Sequence, residues 1–218
     1  MTAARQQLLI ATRNPHKTQE FAQLLGGRFA VRDLNTAGCE LPEIEETGST
    51  FEENATLKAV GISRLVPGLV VADDSGLEVV ALGGAPGIFS ARYVGAAPAD
   101  AANVHKLLQE LQRRGATDAA QRRAQFRCVL VAAKRGDVRR VVEGTVSGRI
   151  ADAPRGHGGF GYDPVFVTEG YDATFGELPA EVKNSVSHRA RAVAELAQFL
   201  RGGADEGTNY GATVPGAP

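Results

Sequence analysis

Two adjacent carboxylates, Asp73 and Asp74, follow a short apolar run, Leu69 to Ala72, and precede Ser75 and Gly76. The run is of the kind that forms a buried strand. A strand ending in carboxylates and turning on a glycine suits metal or proton chemistry at a sheet's edge. The same residue types also suit a plain strand-terminating turn. Neighbouring strand residues face opposite sides, so only one of the two aspartates points into a given cleft. Farther on, Gly83, Gly84, Pro86 and Gly87 crowd ahead of Ser90, Ala91, Arg92 and Tyr93. Glycine is used where backbone approaches something closely or takes a positive φ. With Arg92 at its end, this loop is expected to suit a polyanionic ligand better than chain reversal.

Other stretches carry matching chemistry. Asn14 and Pro15 read as the N-cap and first residue of a helix whose apolar face is Phe21, Leu24 and Leu25. Fed by a strand over residues 6–12, that helix end is expected to present free backbone N–H groups and a positive dipole to a phosphate, with Lys17 beside them. An ordinary capped helix with a solvated lysine fits the same residues. Glu43, Glu45 and Glu46 form an acidic loop before Gly48, either solvated or able to offer Mg²⁺ the one or two carboxylates it takes from protein. Thr50 and Glu53 make a capping box for a helix over about 51–65, on which Asn54 and Lys58 share a face turned to the cleft or to water. From Pro154 to Pro164, four glycines interleave with Phe160, Tyr162 and Asp163. Such a loop serves as a wall against a heterocycle, with Phe160 stacking, or as a flexible surface loop. Ser187 caps a last helix, placing His188 and Arg189 at another dipole-positive end, and Lys183 lies just before it.

The elements that must position these groups follow from periodicity. Strands are expected at 6–12, 29–34 and 69–72, with a long central hairpin of 124–134 and 138–147 turning at Gly136 and Asp137. Val104, Leu107, Leu108 and Leu111 repeat at helical spacing over 100–114, a helix read as packing alone and ended by Gly115. Residues 112–123 read as an exposed connection, and 203–218 as a disordered tail. The 218 residues are 43% hydrophobic, enough for one large domain or two lobes sharing a sheet. The net charge of -1 argues against a nucleic-acid binder, and 6% aromatics with no Trp against a stacking platform. No P-loop or dinucleotide fingerprint occurs. Cys39 and Cys128 fit no CxxC pattern, and no apolar run is long enough to span a membrane, so a reduced cytoplasmic protein is expected.

Taken in order, five blocks resemble the Ham1-like, inosine triphosphate pyrophosphatase family over roughly residues 7–201. They are Thr12, Arg13, Asn14, Pro15, His16 and Lys17; Glu45 to Gly48 with Phe51 to Asn54; Ala72 to Gly76 through Gly87 to Tyr93; Gly158 to Asp163; and Lys183 with Ser187, His188 and Arg189. The resemblance implies an α/β fold with an elongated mixed sheet flanked by helices, its two lobes forming one domain over residues 1–202 with the site in the cleft between them. It implies Mg²⁺-dependent hydrolysis of ITP, dITP and XTP to the monophosphate and pyrophosphate, usually by a homodimer. By position it implies Asp74 as catalytic base and metal-side carboxylate and Glu45 as metal ligand. It implies Thr12, Asn14, Lys17, Ser75 and Lys183 at the triphosphate, the whole segment Thr12 to Lys17 forming the substrate loop. Phe160, Gly161, Tyr162, Asp163, His188 and Arg189 match the base-recognition positions. Arg13 departs from the glycine often found between Thr and Asn, and either points away or adds a phosphate contact. The neighbouring alternatives are a Maf-like pyrophosphatase with another base preference and a non-catalytic nucleotide-binding module.

Overall fold

The computed structural model describes residues 5–95 and 99–202; the tail expected at 203–218 lies outside them. Six strands form one mixed sheet in the order β2-β1-β3-β4-β5-β6. β1 (Gln6–Ile10) runs parallel to β2 (Phe29–Asp33) and to β3 (Val70–Val79). β4 (Arg123–Lys134), β5 (Asp137–Ile150) and β6 (Phe166–Thr168) continue the sheet antiparallel. The helices are α1 (Pro15–Leu25), α2 (Phe51–Ser63), α3 (Asp100–Arg113), α4 (Ala180–Val186) and α5 (His188–Arg201). This is the expected α/β architecture.

Strand alternation sorts the core. Ile10, Val71, Cys128 and Leu130 pack on one face with Phe21 of α1 and Val193 and Leu196 of α5. Val70, Ala72, Val129 and Val131 pack on the other with Ala55, Ala59 and Ile62 of α2. A third cluster, at the far end of β3–β5, joins Leu77 and Phe126 to Leu107 and Leu111 of α3 and to Phe166 and Phe175. Gly144 on β5 explains how α5 lies so close to the sheet: a Cβ there would meet His188 O at 2.2 Å and Ala192 N at 2.5 Å.

Three sequence expectations are corrected by tertiary contacts. β3 does not end at Asp73 and Asp74 but runs through both to Val79, because β4 pairs with it along that whole length. Gly76 is therefore no turn residue; a Cβ there would meet Gly87 O at 2.4 Å and Ser90 Oγ at 2.5 Å. Gly83 and Gly84 take positive φ in a tight reversal that returns to β3 through Gly84 N–H to Val79 O, so these glycines do make chain reversal. The connection at 112–123 is not simply exposed either. Arg122 is buried and donates to Ile150 O, Ala116 O and Ala151 O.

Candidate active site

In the middle of β3 the two aspartates turn to opposite faces of the sheet. Asp73 faces α1 and α5, where its carboxylate accepts from Arg189 Nε at 2.8 Å and Ser75 Oγ at 2.8 Å and pairs with Lys17 Nζ. Burial pushes the Asp73 carboxyl up, but Arg189 and Lys17 outweigh it and hold it well below the usual range. Asp74 faces α2. Its Oδ1 accepts from Lys58 Nζ at 2.9 Å, and the same ammonium donates to Glu46 Oε1 at 2.7 Å and Asp73 O at 2.9 Å. Arg92 Nη1 closes the chain on Glu46 Oε2 at 2.8 Å. Burial raises the Asp74 carboxyl despite the pull of Lys58 and Lys17. Asp74 Oδ2 is buried with no partner among the described residues.

Asp73, Asp74, Lys58, Glu46 and Arg92 line a cavity of about 720 Å³ that also takes in Thr12, Arg13, Asn14, Lys17, Ser75, Glu43 and Glu45. The start of α1 is a capped helix end, the second of the two readings of these residues. Asn14 Oδ1 accepts from His16 N at 2.9 Å and Lys17 N at 3.3 Å, and Thr12 Oγ1 accepts from Asn14 N at 3.1 Å. Pro15 has no N–H, so the free donors expected there are taken up by the cap. The Lys17 ammonium, which has three donors and gives one to Asp73, keeps donors for an anion. The Arg13 guanidinium donates to Leu41 O at 2.6 Å, which ties the first loop to the acidic segment.

A second cavity, of about 250 Å³, adjoins the first through Asn14, Lys17 and Ser75 and is lined by Phe160 to Asp163, Lys183, His188 and Arg189. The glycines of this loop have a local reason as well. Gly159 has φ +71°, and a Cβ there would meet Asp163 Oδ2 at 2.0 Å. Asp163 folds under the loop and accepts from Phe160 N at 2.8 Å and Lys183 Nζ at 2.6 Å. The Phe160 ring has Lys183 Nζ 5.1 Å and Arg189 Cζ 5.7 Å from its centroid, with the His16 ring stacked at 5.3 Å. Tyr162 Oη donates to Ser90 O at 3.0 Å. His188 stacks on Phe126 at 4.6 Å, and burial, then Arg189 and Lys183, keep its imidazole well below the usual pKa. α3 does more than pack, because Asp100 Oδ2 accepts from Gly161 N at 2.7 Å.

Of the sequence-derived residues, only Pro15 and His16 line neither cavity, and His16 reaches Phe160 by stacking. Ile88, Ala91 and Arg92 of the glycine-rich stretch reach the first cavity, while Gly83, Gly84 and Gly87 line a separate surface groove. Sequence reasoning left Lys58 undecided and missed Glu20 and Asp100. The spacing of Asn54 and Lys58 marked a shared face but not the carboxylates opposite it. For a metal, Mg²⁺ needs oxygen ligands and takes few from protein. Glu45 and Asp74 share a cavity and Asp74 keeps an unpartnered oxygen, so the donor set fits, although no group of three or more acidic, His or Cys ligands gathers among the described residues.

Known proteins are similar to this chain in sequence and fold. Residues 8–199 match the model of the Ham1 family. The dITP/XTP pyrophosphatase of Bacillus subtilis (strain 168) is 47% identical over 193 residues, covering 88% of this chain and 96% of that protein. The dITP/XTP pyrophosphatase of Geobacillus kaustophilus (strain HTA426) is 48% identical over 194 residues, 87% of this chain and 92% of its own length. Among solved structures, the Staphylococcus aureus Ham1 protein superposes with a TM-score of 0.77 at 42% identity, covering 90% of this chain and 99% of that one. With the match running through both cavities and the whole sheet, the chain belongs to the Ham1 family.

Proposed function

We propose that this chain hydrolyses dITP, ITP and XTP to the monophosphate and pyrophosphate, cleansing the nucleotide pool. The observation that carries this reading is the pair of adjoining cavities, one lined by carboxylates and basic side chains, the other by an aromatic ring, with Lys17 and Ser75 on the border. The names of the similar proteins support the substrate class. The triphosphate lies along Thr12, Asn14, Lys17 and Ser75, with Lys183 beyond them, and the purine lies against Phe160. A triphosphate brings about four negative charges into a cavity lined by five carboxylates and four Lys or Arg side chains. Asp74 and Glu45 would hold Mg²⁺, which would offset part of this negative charge.

Attack at the α-phosphorus needs a water in line with the departing pyrophosphate. Asp74 orients that water and accepts its proton, contributing mainly geometry, because a divalent cation beside it would hold its carboxyl low. Lys58 fixes the Asp74 carboxylate by its Oδ1, leaving Oδ2 for this work. Lys17 uses its spare donors on the phosphates. At the other end, Arg189 or a loop N–H meets the 6-keto acceptor of hypoxanthine or xanthine. Adenine offers a donor there, and donor against donor costs roughly 1–3 kcal/mol, about 5- to 150-fold.

Residues 1–202 are read as one two-lobed unit that pairs with a second copy in the cytoplasm. Exposed Phe89 and Val80 support a pairing surface. The net charge of -1 supports a small-molecule partner rather than nucleic acid. Among the described residues no helix is long and apolar enough to cross a membrane. The deciding experiment incubates the protein with ITP and Mg²⁺ and separates pyrophosphate from orthophosphate. Pyrophosphate release, lost with a chelator and faster for ITP and XTP than for GTP and ATP, is expected. Orthophosphate as first product, or equal rates on all four nucleotides, overturns the reading.

A further inference from the structure

α1 carries two ionic residues on one side of its first turns. Lys17 points to the phosphate end of the cleft, and Glu20, three residues on, lies beneath the base end. Glu20 lines neither cavity, yet its carboxylate holds two residues that do: Oε1 accepts from Lys183 Nζ at 2.7 Å, and Oε2 accepts from Arg189 Nη1 at 2.6 Å. Its side chain is only 13% exposed, so these pairs are largely shielded from water.

The donor count shows what this does. Arg189 has five N–H groups and spends three, on Asp73, Glu20 and Ser75 Oγ. Lys183 has three and spends two, on Glu20 and Asp163. One N–H of Lys183 and two of Arg189 therefore remain, in directions fixed by the spent ones, beside the Phe160 ring. The charge count shows the rest. Lys17, Arg189 and Lys183 alternate with Asp73, Glu20 and Asp163 in one largely buried chain of ion pairs, which is neutral only while Glu20 is present. A buried excess cation is costly and draws in an anion.

We propose that Glu20 is the positioning residue of the base end, aiming the spare donors of Lys183 and Arg189 at the purine and cancelling the charge that would otherwise draw phosphate there. This rests on the purine lying against Phe160, as read above. The test therefore uses binding of two probes to the full-length protein with Mg²⁺. Inosine monophosphate reports both ends of the site and inorganic tripolyphosphate the phosphate end alone. Glu20→Gln is expected to weaken inosine monophosphate at least tenfold while binding tripolyphosphate no more weakly than the unmodified protein. Glu20→Asp keeps the charge on a shorter arm and is expected to recover part of the loss. If Glu20→Gln does not fold, Glu20→Asp carries the test: at least a threefold loss confined to inosine monophosphate supports the assignment. Equal weakening of both probes marks Glu20 as merely structural, and unchanged inosine monophosphate binding also overturns the assignment. If the unmodified protein binds tripolyphosphate but not inosine monophosphate, the purine reading itself falls and takes this one with it.

Discussion

Around Asp74 the cleft is lined by five carboxylates against four basic side chains, and one buried oxygen, Asp74 Oδ2, has no partner. Around Phe160, by contrast, Asp73, Glu20 and Asp163 each bind Lys17, Arg189 or Lys183 at close range. The first region is electrostatically incomplete and asks for a cation and a polyanion together. The second is already neutral and asks for an uncharged ring with a few hydrogen-bonding edges. The same helix, α1, serves both, with Lys17 at one end and Glu20 at the other. A cleft divided in this way orients its substrate before any base-specific contact forms, because the charged tail is stabilised at one end only.

Removing the unpartnered oxygen breaks the incomplete end most directly. Asp74→Asn is expected to lower kcat by about 10³-fold, since a positioned base contributes on the order of 10²–10⁴. Binding of inosine monophosphate should stay within a few-fold, as the base end is untouched. Steady-state rates of pyrophosphate release, read beside calorimetry, check both halves; near-normal turnover would remove Asp74 from the chemistry. Lys58→Met is the next largest. It leaves Asp74 and Glu46 without the ammonium they share, and a loss of about 10² in kcat/KM is expected, comparable to deleting one charge-stabilising donor elsewhere. Lys58→Arg should restore part of it if the role is to hold Asp74. At the neutral end, Phe160→Ala should act on KM instead. Base stacking is worth roughly 1–3 kcal/mol, so KM for ITP should rise about 5- to 150-fold with kcat changed far less. A fall in kcat alone would erase the distinction between the two ends.

How much of this was legible in the sequence divides along the same physical line. Features set by neighbours in the chain could be read: the Asn14 cap and Pro15 of α1, the Thr50 cap of α2, the Ser187 cap of α5 and the β4–β5 hairpin all appear as expected. Features set by distant partners could not. Asp73 and Asp74 look like a strand's end because ionised carboxylates are unfavourable inside a sheet. They sit there because Lys17, Lys58 and Arg189, from three different helices, compensate them. Glu20 looks like an ordinary polar residue beside Phe21, and only the return of α5 across the sheet brings Arg189 to it. The glycine-rich loop at Phe160 reads as a wall for a heterocycle or a flexible surface loop, while Gly159 in fact makes room for Asp163. Arg122 falls in a segment that reads as an exposed connection, yet it is buried and donates to carbonyl groups of residues 150 and 151.

The smallest effect expected tests whether the neutral end truly excludes an extra positive charge. His188 lies in it, stacked on Phe126, with Nδ1 buried and without a partner among the described residues. Burial first, then Arg189 and Lys183, hold its folded pKa well below the unfolded value of about 6.5. Well above pH ~6.5 the imidazole is neutral both folded and unfolded and contributes no slope. Below it, the unfolded chain gains a proton that the folded protein refuses, so stability falls as pH drops, by up to about 1.4 kcal/mol per unit until the folded pKa is reached. His188→Phe keeps a ring against Phe126 and removes the titration. Lowering the pH from about 6.5 to 5.5 should therefore cost the unmodified protein roughly 1 kcal/mol more than the variant, or about 2–4 °C in Tm. Thermal unfolding of both proteins across that range measures the difference. Parallel curves would mean that His188 accepts its proton in the folded state, and that the base end tolerates a charge its ion pairs do not balance.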